Sequence, residues 1–227
     1  EFGETKESWF KTFLKLENGI PSHVTFNRFF ASLDPVTFES CFRAWVNSLE
    51  GIIKDQLISI DGKTVRGAKE HGKKSPVHIV SAWAGENEIT LGQLCVDEKS
   101  NEITAIPELL KSLFIKDCLV SIDAMGCQHK IVDAIIDKDS DYLLGVKGNQ
   151  ETLHQDLLDS FRFYKPDDTD TDVDVGHGRV ETRKCTVIKN LGHLTGEKEW
   201  AGLTSLIRIE SERFTKASGK TETETRY

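Results

Sequence analysis

Several features that would place this sequence in a specialised class of protein are missing from it. No stretch approaches the ~18 consecutive apolar residues that a membrane-spanning helix needs, and no positively charged start followed by an apolar run resembles a secretory signal. The glycine-rich phosphate-binding patterns GxGxxG and GxxxxGK followed by Ser or Thr are also absent. We therefore expect neither a membrane protein nor a small-molecule enzyme with a nucleotide-binding loop.

Cysteine is scarce and irregularly placed. The five cysteines are odd in number and far apart, and no two form a CxxC pair. This usage fits reduced thiols in a cytosolic protein, most of them small core residues. The length of 227 residues, with 38% hydrophobic and 29% charged residues, fits one globular domain, or one domain with an appendage.

Charge is unevenly distributed along the chain. The net charge of -8 argues against a protein that coats nucleic acid, unless basic residues gather locally. They do gather between 62 and 76 (GKTVRGAKEHGKKSP), whereas acidic residues concentrate between 165 and 175 (KPDDTDTDVDV). The basic segment is either the solvated tip of a hairpin or a phosphate-binding segment, and its start directly behind Asp61 favours the second interpretation.

The first 50 residues have the apolar spacing of three short helices. Ser22 can cap the second of them, and Asp34 followed by Pro35 is a good start for the third. Such a set is either a helical cap on a neighbouring core, which is the commoner case, or a helix-turn-helix DNA reader.

From residue 51 the pattern changes to strands and then to alternating helices and strands. Three strands separated by turns predict a meander. The full order β-β-β-α-β-α-β-α predicts an α/β protein, with a mixed sheet and helices against its faces. The predicted strands cover 56–61, 77–84, 89–96, 118–123 and 141–147, and the predicted helices cover 103–113, 127–137 and 150–164.

The last third of the sequence is rich in strand signals. The acidic stretch after residue 165 is predicted to be a loop, and strands are predicted at 179–189, 203–214 and 220–227. The predicted organisation is therefore an incomplete N-terminal helical region (1–50), an α/β core (51–165) and a β-rich insertion or subdomain (166–227).

Two aspartates are predicted to end apolar strands of the core. Asp61 and Asp123 each complete the tripeptide Ser-Ile-Asp, and functional side chains gather where the strands of such sheets end. If the two strands are parallel neighbours, the carboxylates meet, and they then need a proton or a cation between them. Hard oxygen ligands suit Mg²⁺ or Mn²⁺. Two such ions bound side by side can activate a water molecule and stabilise the leaving oxygen in phosphodiester cleavage. The alternative is that each Asp is a strand-end cap or turn former.

Basic and polar residues follow both predicted core strands at this edge. Lys63 and Arg66 come two and five residues after Asp61, where they could meet phosphates. Lys147 and Asn149 follow the last strand of the core and could do the same. For this second pair, an ordinary strand-to-helix turn with a cap is an equally good interpretation.

A further basic segment, GHGRVETR, covers residues 176–183. It contains His177 and Arg179, which could contact DNA from a loop. An ordinary hairpin start is the alternative. His177 has no partners at metal-ligand spacing, so the sequence does not make it a metal ligand.

Seven segments carry a resemblance to a known family. They are NGIPSHVTFNRFF, IDGKTVRG, HIVSAWA, VDEKSNEITAIPELL, SIDAMGCQ, GVKGNQ and GHGRVETR. In this order they closely resemble the H-repeat-associated proteins, which are relatives of bacterial insertion-sequence transposases with a DDE catalytic core. The resemblance covers essentially the whole chain.

The resemblance implies a fold, a site and partners. It implies an RNase H-like core in which Asp61 and Asp123 are the first two acids of a metal-binding triad. It also implies Mg²⁺ or Mn²⁺ as cofactor, DNA as partner, cleavage and joining of DNA strands, and a homodimer on the DNA. The expected location is the bacterial cytoplasm, in association with the nucleoid.

The sequence departs from the family pattern at its end. The family's third acid, a glutamate, lies in a later motif resembling HWxIENxLHW, and the sequence stops at Tyr227 without one. Glu181 is a poor substitute, because it belongs to the segment that matches GHGRVETR. We therefore expect a fragment that binds metal weakly and has little or no cleavage activity, since the members of such a site act together. The alternative is a non-catalytic DNA-binding remnant of a mobile element.

Overall fold

The structure is a computed structural model in which two compact units are described, Glu1–Val46 and Asn47–Tyr227. The basic segment around Arg66 lies outside the described residues. The structure describes residues 1–49, 53–65, 77–96, 102–196 and 199–227.

The first unit is helical, as the apolar spacing predicted. Its last two helices begin where their caps predicted: the Ser22 hydroxyl accepts a hydrogen bond from the Thr25 backbone N–H at 3.3 Å, and the Asp34 carboxylate accepts one from Thr37 at 2.8 Å. The predicted first helix is instead two single-turn pieces. The helices are α1 (Phe2–Thr5), α2 (Glu7–Phe10), α3 (His23–Ser32) and α4 (Pro35–Asn47).

The second unit contains a five-stranded mixed sheet, which confirms the predicted α/β class. The first three strands form the predicted antiparallel meander, and the fourth and fifth are added in parallel beside the first, so that the strand order is β3-β2-β1-β4-β5. The strands are β1 (Leu57–Val65), β2 (Val77–Ala84), β3 (Ile89–Val96), β4 (Leu119–Ile122) and β5 (Asp141–Leu144).

Three helices supply apolar side chains to the core around this sheet. They are α5 (Glu102–Lys111), α6 (His129–Ile136) and α7 (Glu151–Phe163). Leu109 of α5 and Ile131 of α6 are fully buried, as are Ile58 of β1 and Val120 of β4. Because β1 and β4 are inner strands covered in this way, the edge they share is held in a fixed register.

A second sheet follows, and it corrects one prediction. The acidic stretch predicted to be a loop forms most of an edge strand, β6 (Asp168–Gly176), which pairs with β7 (Arg179–Ile188) along its whole length. Aspartate is disfavoured in strands, which is why the composition of this stretch predicts a loop. The pairing is set by the two-residue turn at His177 and Gly178, whose φ angles of 48° and 74° are typical of a tight hairpin.

The second sheet is completed by two antiparallel strands, β8 (Leu206–Thr215) and β9 (Lys220–Arg226). One end of it reaches the core, where Ile188 of β7 and Leu206 of β8 join a buried cluster with Leu153 and Leu157 of α7. Strands β6 and β9 are exposed along their whole length. The second sheet is therefore anchored at one end.

Two further features of the described residues concern membrane-spanning helices and the cysteines. No helix among them is long and apolar enough to cross a membrane. All five cysteines are free thiols, but only Cys118 and Cys127 are buried, so the prediction that most of them are core residues is wrong. Burial raises the pKa of the Cys127 thiol to about 11, which makes it a poor nucleophile.

The glycine at the end of the loop behind β4 is predicted to be required for stability. A Cβ on Gly126 would lie 2.9 Å from the Cβ of Ile122, a buried residue of β4 that has no room to move. We expect Gly126→Ala to lower the free energy of unfolding by about 1–3 kcal/mol in urea titrations. The control, Gly148→Ala, has nothing within 4 Å of the new methyl group and should be neutral or slightly stabilising. Equal stability of the two variants would contradict this account.

Candidate active site

Asp61 lies inside β1, not at its end, so the prediction that it closes the strand is wrong. Strand β1 continues to Val65 because β2 pairs with it throughout, with Ser81 opposite Asp61. What stops before Asp61 is the parallel pairing with β4, whose last pair is Ile60 and Ile122. Asp61 therefore stands where β1 loses one of its two neighbours, and its side chain is exposed.

Asp123 directly follows β4 and starts a turn of 3₁₀ helix, Ala124–Gly126. Its Oδ1 accepts a hydrogen bond from the backbone N–H of Met125 at 3.1 Å. The side chain is exposed, and its other oxygen, Oδ2, has no hydrogen-bond partner among the described residues. The cap interpretation therefore holds for Asp123, and it leaves one oxygen free for a ligand.

The two aspartates occupy equivalent positions in the sheet. Strands β1 and β4 are parallel neighbours, as predicted, and Asp61 and Asp123 each come one residue after the pair of Ile60 and Ile122. Neighbouring strands are about 4.8 Å apart, so two carboxylates start from adjacent backbone positions. If the two carboxylates approach each other from these positions, they need a cation or a shared proton between them.

These two acids do not yet make a complete metal centre. Across the ranges that the structure describes, no three His, Cys, Asp or Glu side chains converge closely enough to hold a metal ion. One acid that the sequence analysis did not single out, Glu102, has its carboxylate against Gly62, the residue after Asp61. Side chains alternate along a strand, so this carboxylate lies on the face of β1 opposite the Asp61 side chain.

Of the basic residues predicted to follow Asp61, one is described. Lys63 lies two residues further along β1, opposite Ile79, and is exposed. Side chains alternate along a strand, so Lys63 and Asp61 share one face of β1. Arg66 lies outside the described residues, and its predicted role stays a prediction.

The segment after β5 is fastened to the loop that carries Asp123. The side-chain amide of Asn149 donates a hydrogen bond to the Ala124 carbonyl at 2.7 Å, and that of Gln150 donates one to the Cys127 carbonyl at 2.8 Å. Asn149 thus positions the Asp123 loop. Its neighbour Lys147 is exposed, and its positive charge helps to lower the pKa of Glu224 on β9.

His177 and Arg179 lie in another part of the second unit. They stand at the β6–β7 hairpin, and both are exposed. Strand β7 runs ten residues from Arg179 to its buried end at Ile188, a span of about 30 Å. The segment with His177 and Arg179 therefore forms an ordinary hairpin. The described residues predicted for the site thus lie in two separate places.

Glu181, the possible substitute acid, is held by two arginines. Its carboxylate lies 2.9 Å from the guanidinium of Arg183 and 3.3 Å from that of Arg213 on β8. The hydrogen bond from Arg213 is the main cause that holds the pKa of Glu181 below its ordinary value, and the charge of Arg183 adds to it. A carboxylate already neutralised in this way is a poor metal ligand, which supports rejecting Glu181 as the third acid.

Comparison with known protein families shows the family to which the chain belongs. The family described as "Transposase DDE domain" matches residues 53–213, and the family described as "DDE_Tnp_1-associated" matches residues 1–46. With the mixed sheet and the paired aspartates, this match defines the class of protein: the chain belongs to the DDE transposase family and is transposase-derived.

The relatives specify this assignment further. The chain is 41% identical to a protein from the dhlA 3′ region of Xanthobacter autotrophicus, over 94% of this chain and 74% of that protein. It is 42% identical to the putative transposase YncI of Escherichia coli O157:H7 (91% and 54%) and 37% identical to the H repeat-associated putative transposase YhhI of Escherichia coli K12 (99% and 61%). The chain is thus a relative of the H-repeat-associated transposases, as the sequence resemblance predicted.

Coverage of these relatives is partial. The chain spans 54% to 74% of the length of the three proteins. Among solved structures, a piggyBac transposase synaptic complex with hairpin DNA aligns with 79% of this chain and 44% of its own chain, at a TM-score of 0.38 and 12% identity. That likeness is too slight to add to the assignment, which rests on the sequence relatives.

Glu181 is predicted to contribute to stability through its arginines. Because its folded-state pKa is lowered, its contribution is present above the unfolded-state pKa of about 4.3 and is lost as the pH falls through the folded-state value. We expect Glu181→Gln to be less stable than the unchanged protein at pH 7, and the difference to shrink towards pH 3, in urea titrations at both pH values.

The control is Glu212→Gln on β8, since Glu212 has no ion pair within the described ranges. It should lower stability less at pH 7. If Glu181→Gln were as stable as the unchanged protein at pH 7, the ion pairs of Glu181 with Arg183 and Arg213 would not contribute to stability, and the prediction would be wrong.

Proposed function

We propose that this chain is the metal-binding core of a transposase that cleaves and joins DNA strands by phosphoryl transfer, on an RNase H-like sheet. The observation that supports the proposal most strongly is the equivalent placement of Asp61 and Asp123 on parallel neighbours β1 and β4. Membership of the DDE transposase family supplies the reaction class. The meander followed by two parallel strands agrees with an RNase H-like core.

The proposed cofactor is Mg²⁺ or Mn²⁺, held by Asp61 and Asp123. Their carboxylates are exposed hard oxygen donors, which fit these ions. A bound ion of this kind polarises a phosphoryl group and activates a water or hydroxyl nucleophile. The contribution of the chain is to hold the two carboxylates side by side through backbone pairing, with the 3₁₀ turn after β4 fixing the orientation of Asp123.

The proposed partner is DNA. Lys63 shares a face of β1 with Asp61, and Lys147 and Asn149 follow β5 in the segment fastened to the Asp123 loop. We propose that these residues meet the phosphates next to the metal, with Arg66 from the basic segment. We propose His177 and Arg179, at the far hairpin, as a separate contact to the same DNA.

We also propose for this protein the domain organisation that the sequence predicts. We propose an N-terminal helical region (1–50), a catalytic core (51–165) and a β-rich insertion (166–227) in a homodimer that acts on DNA in the bacterial nucleoid. Among the described residues, no three acids converge closely enough to hold a metal ion, so we propose that the chain on its own cleaves DNA very weakly. A non-catalytic DNA-binding remnant of a mobile element is the second candidate, favoured by this lack of three converging acids within the described ranges.

Loss of either aspartate is predicted to weaken metal binding. We expect Asp61→Asn and Asp123→Asn each to reduce the affinity for Mn²⁺ at least about tenfold in isothermal titration, since changes even outside the direct ligands cost about 10–100-fold. Asparagine can still cap the turn after β4, so the fold is preserved. Glu181→Gln, whose carboxylate serves arginines, is the control and should bind Mn²⁺ normally. Normal Mn²⁺ affinity in both aspartate variants would refute the metal site.

DNA binding is expected of both candidate functions. We expect affinity for duplex DNA, measured by fluorescence anisotropy, to fall as salt rises. Lys147→Ala should lower the salt slope by about one, while Lys116→Ala, which loses only an ion pair with Asp139, should not. Absence of binding would contradict both candidates.

The cleavage activity of the chain is tested in the same samples. We expect no detectable Mg²⁺-dependent nicking of the DNA, and nicking abolished by Asp61→Ala would overturn that expectation. DNA binding combined with Mn²⁺ affinity that is insensitive to Asp61 and Asp123 would identify the non-catalytic remnant.

A further inference from the structure

Helix α3 (His23–Ser32) carries an aromatic stripe that is exposed in a single copy of the chain. Phe26, Phe29 and Phe30 recur at the spacing of one helix face, and their exposed fractions are 46%, 56% and 59%. Every residue of α3 is exposed. The Phe29 and Phe30 rings contact each other edge-on, with their centroids 5.5 Å apart. The stripe is therefore an ordered aromatic surface that faces solvent.

The length of α3 makes this exposure costly. The helix has ten residues, and isolated helices shorter than about 12–15 residues are marginal in water. Such helices owe most of their stability to the packing of an apolar face. The hydrogen bond to the Ser22 cap offsets part of the cost, typically about 1 kcal/mol. We therefore expect the stripe to be covered when the protein is in solution.

The rest of the first unit adds to this apolar surface. Among residues 1–46, only Val46 is buried, and eleven large apolar residues have exposed fractions between 46% and 71%. Eight of the eleven are aromatic. Because an aromatic side chain can bury about 150–250 Å², eight that are half exposed present roughly 600–1,000 Å². This total is more than the largest apolar patch of a typical monomer, about 300–600 Å², and it matches the roughly 800 Å² that each partner contributes to a standard interface.

The charges of the first unit favour a second copy as the partner over DNA. Residues 1–46 contain five Lys or Arg and six Asp or Glu, a net charge of -1, although the whole chain has -8. A DNA-binding surface needs an excess of basic residues, and the charged residue of α3 is Arg28 alone. Two nearly neutral units can approach each other without net repulsion, and a two-fold axis would place the same stripe on both sides of the contact.

We propose that the α3 stripe is a dimer interface, in which Phe26, Phe29 and Phe30 pack against the same stripe of a second copy of this chain. The inference rests on the homodimer of the proposed function and gives that homodimer a surface, which forms without DNA. Arg28 lies two positions from both Phe26 and Phe30, a rotation of about 200° around the helix. It therefore stays on the solvent side of α3 in the dimer.

The test measures the molar mass of the full chain without DNA, by sedimentation equilibrium over a series of concentrations. The double variant Phe29→Ala with Phe30→Ala removes two exposed rings, and alanine preserves the helix. Arg28→Ala is the control on the opposite side of the same helix. Phe163→Ala is the control for the loss of an exposed ring elsewhere, because Phe163 ends α7 and is 68% exposed.

We expect the unchanged chain and both control variants to be dimers. The dissociation constant of the double variant should rise at least about tenfold, as is usual when central aromatic residues of an interface are truncated. A monomeric unchanged chain, whose stripe would then be left to DNA or to an unlike protein, would overturn the inference. A dimer with the same dissociation constant in the double variant would overturn it as well.

A second measurement does not depend on the folding of the double variant. Association of folded copies makes the melting temperature rise with protein concentration. We expect this rise in the helical circular dichroism signal of the unchanged chain and of Arg28→Ala. A melting temperature that is the same at all concentrations would contradict the inference.

Failure of the inference and failure of the proposed homodimer are distinguishable when duplex DNA is added to the same samples. A chain that dimerises only on DNA, equally well with and without Phe29 and Phe30, overturns the role of α3 and leaves the homodimer intact. A chain that is monomeric both with and without DNA overturns the homodimer too.

Discussion

The parallel pairing of β1 with β4 is the interaction on which the candidate site depends. Its register aligns two Ser-Ile-Asp tripeptides that are 62 positions apart in the sequence, so that Ser59 pairs with Ser121 and Ile60 with Ile122. A shift by one residue would turn one aspartate to the opposite face of the sheet. Buried Ile58 and Val120, which are fully enclosed, make such a shift costly. Core packing and site geometry are therefore set by the same residues.

The residues around Asp123 fix the position of its side chain. The strand ends in a 3₁₀ turn that Asp123 itself caps, and Gly126 allows the turn to close against Ile122. Asn149 and Gln150 then fasten the turn from the neighbouring segment. The polar residues that follow β5 thus hold the backbone of the turn after Asp123. This role is separate from the contact with DNA proposed for Asn149.

The sequence predicted those parts of the fold in which local signals agree with tertiary structure. Caps at Ser22 and Asp34, the meander and the alternation of helices with β4 and β5 all have local causes, namely capping oxygens, turn residues and apolar periodicity. The aspartate-rich strand β6 was missed because its pairing depends on β7 and its hairpin, not on its own residues.

The positions of the candidate site residues in the sheet depend on both local sequence signals and tertiary pairing. The two aspartates could be found because each follows an apolar run, but the continuation of β1 past Asp61 depends on β2, which no local signal of β1 reports. The burial of Glu102 could not be predicted either. An acid in the first turn of a helix is ordinarily explained by the helix dipole, and only the packing of α5 against β1 shows that its carboxylate lies against Gly62.

The most direct test of the central claim is the anomalous scattering of crystals of this chain grown or soaked with Mn²⁺. The account predicts one manganese peak bridging Asp61 and Asp123, with an oxygen of each at about the 2.0–2.2 Å expected for a small divalent cation. A peak held by only one of these aspartates, or two well-ordered aspartates pointing apart with no peak between them, would contradict it.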